Sequence, residues 1–374
     1  MKLSLLQENL NSALSNVSRF VSSKSQLPIL NNILITTDNG RLKLSATNLE
    51  LGINYWVGAK IEQEGVLALP AKEITEFVSY LSSGKIDCEL NDKNLLSIFS
   101  TKAESTFATI PATDFPTIPS INPSTAFEID LSLLATAVSQ VAFAAASDDS
   151  RPILTAILCK FTSQSFTLVA TDGFRLSLKT IKLVNPIKLN DGQEELTFLI
   201  PARSLIEVTK LAKNTKKITI GLTSDGHQVV FVLDDLELVS RLIEGDYPDF
   251  KRIIPDSFTT RIFINREEFS QAVKIASVFA RESANVVRFN LKANALELTA
   301  NAPQIGQNRA TVEAKIEGNP FQVAFNFKFI NDFLNICKGE EILIELNETF
   351  SPVSFQDQSD PSLTHIIGPV SVQN

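Results

Sequence analysis

Two hydrophobic patterns alternate along the chain. Where apolar residues recur every three or four positions, as at Leu6, Leu10 and Val17, the spacing predicts an amphipathic helix. Where apolar and polar residues alternate between turn residues, the pattern predicts strands. The predicted order is a helix, paired strands, a second helix and further strands, over residues 5–24, 33–37, 42–55, 71–81, 86–90 and 95–100.

The same order of predicted elements begins again further along the chain. Leu30 and Leu154 lie 124 positions apart, and the similar tripeptides at residues 46–48 and 170–172 are separated by the same offset. Two later landmarks recur at offsets of 131 and 132, namely residues 70–72 with 201–203 and residues 114–116 with 246–248. A loop insertion within residues 182–197 explains the small increase. Agreement at separate landmarks indicates an internal duplication.

A third copy is fainter but keeps the order of elements. Its predicted first helix covers residues 265–281, its paired strands lie within residues 286–301, and its second helix covers residues 326–337. Units of this size are too large for a solenoid repeat and are typical of whole domains. The sequence therefore predicts an α+β fold of three similar domains, over residues 1–125, 126–253 and 254–374.

The sequence Ala-Thr-Asp-Gly-Phe-Arg-Leu-Ser at residues 170–177 predicts a β-hairpin. It follows an alternating apolar run, and its Asp-Gly pair is a strong signal for a tight turn. Beyond the turn, Phe174, Arg175 and Leu176 place an aromatic ring, a permanent cation and an aliphatic side chain side by side. An ordinary hairpin with a half-buried phenylalanine explains this stretch when it is taken alone. The same pattern recurs elsewhere in the chain, which favours a functional role for the hairpin.

Composition narrows the class of protein. The chain has 374 residues, of which 44% are hydrophobic and 20% charged, which is typical of a soluble globular protein with two or three domains. No apolar run reaches the ~18–20 residues of a membrane span, and polar residues interrupt the N-terminal segment as they would not in a signal peptide. We therefore expect a cytoplasmic protein. Its three scattered cysteines fit reduced thiols better than a disulfide framework or a zinc site.

The charge distribution bears on nucleic acid binding. A net charge of −8 argues against it unless the charge is segregated by face. Windows drawn around the six predicted helices carry a net charge of +5, which leaves −13 on the rest of the chain. Helices that line one surface would then make that surface positive and able to hold a phosphate backbone. The alternative is a set of solvated helix faces in which lysine is enriched by propensity.

The sequence offers no catalytic constellation. Its two histidines, His227 and His365, lie in a turn and in an apolar tail, with no nucleophile or metal-ligand pattern beside them. The sequence contains no phosphate-binding loop motif, which argues against ATP hydrolysis. We therefore expect no enzyme activity, no catalytic residue, no metal and no cofactor. A repeat scaffold that binds only protein partners, and not DNA, is the alternative function.

Five segments carry a resemblance to a known family: SQLPILNNILI, SRPILTAILCKF, LVATDGFRLS, IPARSLIEVTKL and EGDYPDFKRIIP, in this order over nearly the whole chain. They resemble the bacterial DNA polymerase III beta subunit family of sliding clamps. The resemblance implies a head-to-tail homodimer closed as a ring, with helices lining a hole around duplex DNA and antiparallel sheets forming the outer wall. It also implies a non-catalytic processivity factor, because a polymerase tethered to a ring keeps a high effective concentration at the primer end.

The resemblance also implies partners. Duplex DNA would be bound without sequence preference, and no membrane partner is implied. A replicative polymerase, a clamp loader and repair proteins would insert short linear peptides into an apolar pocket between the second and third domains. By match to the family motifs, that pocket would be formed by Leu154, Thr171, Gly173, Phe174, Arg175, Leu176, Pro248, Arg252, Ile253, Asn326, Phe329, Ile366, Pro369 and Val370.

Two departures from the family pattern bear on this pocket. Phe174 stands where the family commonly has histidine, which changes hydrogen bonding at the pocket edge. The chain ends in HIIGPVSVQN, where the family typically has a methionine-containing tail, so Gly368, Val370 and Ser371 stand in place of a flexible wall. We expect the preference for partner peptides to differ accordingly.

The resemblance assigns two further surfaces. Lys24, at the end of the first helix where the family usually carries a basic residue, would face DNA, and the further candidates are Lys72, Arg203, Lys210, Lys213, Lys216 and Lys217. The alternative for each of them is an ordinary surface cation. Phe107, on an edge strand of the first domain, would meet Val278 and Phe279 in the third domain of a second copy, because unpaired edges favour strand addition. The alternative is that these three side chains belong to the interiors of their own domains.

Overall fold

The structure is a computed structural model of the chain. It describes residues 1–22, 27–148, 150–189, 193–211, 215–347 and 350–371. Lys24 and Lys213, two of the residues predicted to face DNA, lie outside the described residues.

Three successive segments share one element order, which is a strand, a helix, four or five strands, a second helix and three strands. The first repeat consists of β1 (Lys2–Leu6), α1 (Gln7–Val17), β2 (Asn32–Asp38), β3 (Arg41–Thr47), β4 (Leu51–Gly58), β5 (Lys60–Gln63), β6 (Val66–Pro70), α2 (Ala71–Tyr80), β7 (Lys85–Leu90), β8 (Leu95–Phe99) and β9 (Glu104–Ala108).

The second repeat consists of β10 (Phe127–Asp130), α3 (Leu131–Val141), β11 (Ala156–Thr162), β12 (Ser165–Thr171), β13 (Arg175–Lys182), β14 (Glu195–Pro201), α4 (Ala202–Leu211), β15 (Lys217–Leu222), β16 (Gln228–Leu233) and β17 (Leu236–Arg241). The third consists of β18 (Thr260–Asn265), α5 (Arg266–Ala280), β19 (Val286–Lys292), β20 (Ala295–Ala302), β21 (Gly306–Glu317), β22 (Gln322–Asn326), α6 (Phe327–Ile336), β23 (Glu341–Leu346), β24 (Val353–Asp357) and β25 (Leu363–Ile367). The predicted α+β class and its threefold repetition are confirmed.

Helix α6 shows why the spacing of apolar residues predicted a helix. Its residues Phe327, Ile330, Phe333 and Leu334 recur every three or four positions and are all buried. Asn326 precedes the helix in an extended conformation, and its side-chain oxygen accepts a hydrogen bond from the Lys328 amide. This cap satisfies one of the donors that a helix leaves free at its N-terminus, so the helix begins where the pattern begins.

The chain forms two compact units, and the central repeat contributes to both. The first unit comprises residues 1–132 and 207–242. It holds a five-stranded antiparallel sheet in the order β5-β1-β7-β8-β9 and an eight-stranded antiparallel sheet in the order β10-β15-β16-β17-β4-β3-β2-β6. Strand β17 of the central repeat pairs with β4 of the first, with Leu238 opposite Ile53.

The second unit comprises residues 133–206 and 243–374. It holds a twelve-stranded antiparallel sheet, in which β13 of the central repeat pairs with β25 of the third. Its largest core lies in the third repeat, where the rings of Phe269, Phe289, Phe325 and Phe355 form successive edge-to-face contacts at 5.1–5.8 Å. The domain boundaries at residues 125/126 and 253/254 stay a prediction.

Two predicted elements differ from the observed ones. The first predicted helix was to begin at residue 5, but β1 extends to Leu6 and α1 ends at Val17. Residues 42–55, predicted as one strand, are the two strands β3 and β4, which a short turn at Asn48, Leu49 and Glu50 connects. That turn contains neither glycine nor proline, so the usual turn signal is missing.

No helix in the described parts of the chain is long and apolar enough to cross a membrane. Within the same residues, no group of three or more His, Cys, Asp and Glu side chains could hold a metal ion. Cys88, Cys159 and Cys337 are free and buried. Burial raises the pKa of all three thiols, that of Cys88 to about 12.

Candidate functional site

The candidate pocket is built around the turn between β12 and β13. Thr171 ends β12, and its hydroxyl donates to the Arg175 carbonyl at 2.6 Å and accepts from the Gly173 amide at 3.1 Å. The Asp172 carboxylate accepts from the amides of Phe174 and Arg175 at 2.9 and 3.0 Å. Gly173 has a φ of +90°, a conformation that favours glycine. The predicted hairpin is confirmed, and its own side chains fix the backbone of the turn.

An apolar cluster lies beside this turn. Leu176 is buried and pairs across the strands with buried Ile366 of β25. Leu158, Val169 and Phe250 belong to the same cluster, which also includes Ala156 and Leu199. Half-buried apolar side chains pack against it, and they are those of Ile153, Leu178, Ile243, Tyr247, Ile253 and Ile254. This partly covered apolar surface is the type of site that binds aliphatic and aromatic side chains of a peptide.

Arg175 is the best-connected cation of the site. Its Nε donates to the Asp172 carboxylate at 3.0 Å, and its two terminal nitrogens donate to the Asp332 carboxylate and the Phe143 carbonyl, each at 2.6 Å. The guanidinium also lies 4.6 Å from the Phe329 ring centroid and 5.4 Å from that of Phe143. Because only 11% of the Arg175 side chain is exposed, its charge is used within the protein.

The Arg175 contacts join the turn to α6. Asp332 and Phe329 lie on α6, whereas Asp172 lies in the turn itself. Phe329 is half-buried, so one part of its ring meets the guanidinium and the remainder is accessible. The structure therefore brings predicted Phe329 and Arg175 together. Sequence reasoning missed Asp332 and Phe143, since a lone acid on a helix and a backbone carbonyl give no motif.

Phe174 presents the most exposed aromatic ring of the site. Its side chain is 64% exposed, while its carbonyl accepts a hydrogen bond from the Gly368 amide at 2.8 Å. Next to it, Pro369 and Val370 are half-buried, and the Val370 amide donates to the Ala324 carbonyl at 2.7 Å. The atypical tail is thus bonded to the turn on one side and to β22 on the other.

The segment after β17 supplies another border of the cluster. Ile253 packs against the cluster, whereas Pro248 and Arg252 are exposed and Arg252 pairs with Asp249 at 2.9 Å. Tyr247, which was not predicted, donates to the Val169 carbonyl at 3.4 Å. Burial raises the pKa of the Tyr247 phenol, so it stays a neutral donor.

Two predicted pocket residues serve mainly structural roles. Leu154 is buried but is not part of the cluster described above, and its neighbour Ile153 packs there instead. Asn326 caps α6 with its side-chain oxygen. Ile153 and Leu154 belong to the same Arg-Pro-Ile-Leu motif, so the motif located the segment without deciding which side chain faces the cluster.

The five described residues among those predicted to face DNA are exposed, and they do not lie along one helix. Lys72 and Arg203 occupy the first turns of α2 and α4, and Lys210 lies near the end of α4. Lys216 and Lys217 follow α4, and Lys217 begins β15. Lys210 lies 3.4 Å from a Glu207 carboxylate oxygen, and Lys217 pairs with Glu128.

Charge counted over the observed helices differs from the expectation. The six helices together hold six basic and seven acidic side chains, so they are not basic themselves. The positive charge of the predicted windows came from residues at helix ends and in the connections that follow them. The expectation that the helices themselves are basic is therefore wrong, and the excess positive charge of the windows lies on residues that flank the helices.

Phe107 lies on β9, the edge strand of the five-stranded sheet. Its ring is half-buried and contacts Phe77 of α2 edge-to-face, with centroids 5.1 Å apart. An edge strand with an unpaired backbone is available for strand addition by another chain.

Val278 and Phe279 lie near the end of α5. Val278 is 54% exposed, whereas Phe279 is half-buried and packs against the core of the third repeat. Ile275, one turn earlier, is 43% exposed, and Ile305, in the turn between β20 and β21, is 55% exposed. A Cβ on Gly306 would lie 4.0 Å from the Phe279 ring, so the turn that carries Ile305 lies next to the end of α5. Ile275 and Ile305 were not predicted, although their helical and turn positions are visible in the pattern.

Sequence models of one family match the chain in three consecutive segments. The model described as the DNA polymerase III beta subunit N-terminal domain matches residues 1–119, that of the central domain matches residues 128–249, and that of the C-terminal domain matches residues 251–371. The three matches follow the three structural repeats.

Individual relatives match over the full length. A beta sliding clamp from Synechocystis sp. is 31% identical, with 100% of both chains covered. A crystal structure of the DNA polymerase III beta subunit from Thermotoga maritima superimposes with a TM-score of 0.90 at 30% identity and covers 100% of both chains. The sliding clamp from Bacillus subtilis gives a TM-score of 0.93 at 29% identity, again over 100% of both chains.

Proposed function

The chain belongs to the DNA polymerase III beta subunit family, and on that premise we propose that it is a sliding clamp that encircles duplex DNA as a head-to-tail homodimer. The observation that carries the proposal is the match of three successive family domains along nearly the whole chain. The function is topological, because a ring holds its polymerase near the primer end without forming a bond. It therefore requires no catalytic residue, metal or cofactor, and the cytoplasm is its expected location.

The apolar cluster around Leu176 supports the second part of the proposal, which concerns partners. A replicative polymerase, a clamp loader and repair proteins would each insert a short linear peptide there. Exposed Phe174 and half-buried Phe329 would contact apolar side chains of the peptide. Arg175 would act as a positioning residue, since its guanidinium is already bonded to Asp172 and Asp332.

Ring closure would join two apolar surfaces. The free edge of β9, with Phe107, would meet the surface formed by Ile275, Val278, Phe279 and Ile305 on a second copy. The two surfaces are different, so the contact is heterologous, and two such contacts related by rotation close a ring. The exposure of Val278 favours this role over a place in its own domain interior.

Contacts with DNA would be weak and sequence-independent, as sliding requires. Lys72, Arg203 and Lys216 are exposed and are the best-placed candidates, since Lys210 and Lys217 already have acidic neighbours. Because only a few lysine and arginine side chains would contact phosphates, we expect the affinity for DNA to depend only weakly on salt concentration.

Retention on DNA of different topology tests the proposal. The purified protein, its clamp loader and ATP are incubated with nicked circular DNA, and bound protein is measured before and after linearisation. We expect retention on the circle, loss after linearisation and restored retention when both linear ends carry a bulky protein block.

Other outcomes would separate the alternatives. Equal retention on circular and open linear DNA would mean ordinary surface binding and would exclude encirclement. If an active loader gives no retention on any DNA, the protein is a repeat scaffold that binds only protein partners.

A further inference from the structure

The turn between β3 and β4 is the repeat counterpart of the turn in the candidate pocket. Asn48, Leu49 and Glu50 stand 124 positions before Asp172, Gly173 and Phe174, the same offset that separates Leu30 from Leu154. Both turns connect the second and third strands after the first helix of a repeat. The internal repeat therefore provides the first compact unit with a second copy of the pocket's turn.

The side-chain hydrogen bonds of the two turns agree one by one. The Thr47 hydroxyl donates to the Leu51 carbonyl at 3.1 Å and accepts from the Leu49 amide at 3.0 Å, as Thr171 does in the other turn. The Asn48 side-chain oxygen accepts from the Glu50 and Leu51 amides at 3.0 and 2.8 Å, as the Asp172 carboxylate does in its turn.

The neighbouring strand is attached in the same way. The Glu50 carbonyl accepts a hydrogen bond from the Arg241 amide at 2.9 Å, at the end of β17. In the other turn the Phe174 carbonyl accepts from the Gly368 amide at 2.8 Å, just after β25. Each turn is therefore fixed by its own side chains and by the end of a strand from the next repeat.

A cavity of about 140 Å³ lies beside the first turn, within the first compact unit. Its walls combine polar and apolar side chains, namely those of Thr47, Thr117 and Gln228 and those of Leu49, Leu51, Pro116, Ile118 and Val239. At roughly 30 Å³ per water molecule, this space corresponds to about five waters, which suits one aliphatic side chain rather than a drug-sized ligand. Pro116 stands 132 positions before Pro248, so the cavity wall also follows the repeat.

Leu49 is the unusual residue of this cavity. It adopts a φ of +75°, a left-handed conformation that its repeat counterpart satisfies with glycine. Its side chain is 48% exposed. A leucine that is both strained and exposed gains little from folding, and such positions are concentrated where a ligand is bound.

Charge distinguishes this cavity from the pocket near Arg175. Of the described residues that line it, Glu50 alone is charged. Glu50 is exposed, and no ion pair of the described residues includes it. A ligand that fits both features would carry an aliphatic side chain next to a basic one.

We propose that this cavity is a second peptide-binding site, which takes a short linear segment of a partner protein with one aliphatic anchor and an adjacent lysine or arginine. That the ligand is a peptide rests on the proposed function of the apolar cluster around Leu176, called the Leu176 pocket below. The cavity, the turn at Leu49 and the charge of Glu50 all belong to the first compact unit. Because the cavity admits one anchor, binding is weak, with a Kd of about 0.1–1 mM.

Hydrogen exchange of the full-length protein tests the site with a defined probe, the hexapeptide Gly-Ser-Leu-Leu-Lys-Gly. We expect the peptide at about 1 mM to slow exchange of the amides in residues 47–52 and of those of Thr117 and Ile118. The same peptide with glutamate in place of lysine should bind about fivefold more weakly or worse, since one favourable contact becomes repulsive.

Variants with matched controls test whether Glu50 and Leu49 cause the protection from hydrogen exchange. Glu50→Lys should lower the affinity of the lysine peptide about fivefold or more, whereas Glu64→Lys makes the same charge change at another exposed position and should have no effect. Leu49→Gly suits the backbone conformation of the turn and should weaken binding by removing the apolar contact. Circular dichroism checks that each variant is folded.

The two sites are read separately in one experiment. Protection at residues 171–176 alone would overturn this inference and leave the Leu176 pocket intact. Protection at residues 47–52 that is lost in Glu50→Lys would support it, whatever happens at residues 171–176. If the peptide protects residues 47–52 equally in Glu50→Lys, the charge argument is wrong and the inference falls.

Discussion

His365 is a fully buried imidazole in an aromatic environment. Its ring stacks on Phe333 at a centroid distance of 5.2 Å and lies 5.3 Å from Phe143. Neither ring nitrogen has a hydrogen-bond partner among the described residues. Burial, with a smaller contribution from the Arg175 charge, lowers the pKa of His365 to about 3. The imidazole is therefore neutral in the folded protein and behaves as a flat apolar side chain.

This depressed pKa predicts an acid-sensitive fold. Above the unfolded-state pKa of about 6.5 the histidine has no effect, and below it the unfolded chain binds a proton that the native state excludes. Stability should therefore fall by about 1.4 kcal/mol per pH unit between pH 6.5 and pH 3 through this residue. The free energy of unfolding, measured with urea, should fall between pH 7 and pH 5 by about 2 kcal/mol more in the unaltered protein than in His365→Phe. Equal losses would show that the ring is protonated in the fold.

Leu49 and Gly173 occupy equivalent positions in their turns, and substitutions at the two positions should have opposite effects on stability. Leu49→Gly removes the cost of a left-handed leucine, so the free energy of unfolding should be unchanged or rise by up to about 1 kcal/mol. Gly173→Ala should lower it by about 1–2 kcal/mol, since φ is +90° and a Cβ would lie 3.3 Å from an Arg151 nitrogen. Urea unfolding of both variants measures the pair, and a large loss in Leu49→Gly would contradict the assignment of strain.

At the scale of elements, Arg175 connects a turn to a helix. Its bonds to Asp172 and the Phe143 carbonyl hold the central repeat, and its bond to Asp332 holds α6 of the third. Phe329, on the same helix, lies over the guanidinium. The position of the pocket wall therefore depends on one cation that two elements share.

Removal of that cation should loosen the connection. Arg175→Ala leaves Asp332 and the Phe143 carbonyl without their donor, so the free energy of unfolding should fall by about 3 kcal/mol. Arg252→Ala is the control: that side chain is 86% exposed, and its removal should change stability by no more than about 0.5 kcal/mol. If the two variants lose the same amount in urea unfolding, Arg175 does not hold α6.

At the scale of the molecule, ring closure depends on two different apolar surfaces. Val278→Asp places a charge in the surface proposed to meet β9 of a second copy, so desolvation of the carboxylate should shift the protein to monomer. Val184→Asp is the matched control, because Val184 is 91% exposed and lies in the connection after β13. Sedimentation velocity of both variants checks the prediction, and a Val278→Asp dimer as stable as the native one would contradict the assigned surface.

The pattern of residues predicted most elements because amphipathic spacing and turn residues act locally. Residues 326–337 predicted α6 almost to the residue, and the Asp-Gly pair predicted the hairpin before β13. The turn at Leu49 was missed, since Asn48 is its one turn-favouring residue and no glycine or proline accompanies it. Its repeat counterpart, with an Asp-Gly pair, carried the stronger signal.

By itself the sequence determined the threefold repeat, the α+β class and the family, because these depend on periodicity and on the order and spacing of motifs. The tertiary structure alone decided that Arg175 bonds to Asp332, 157 positions away, and that the helices are not basic. It also showed that the turn at Leu49 keeps the hydrogen bonds of the turn at Gly173. These features depend on which side chains and helix ends meet in space, and local spacing carries no record of contacts between distant residues.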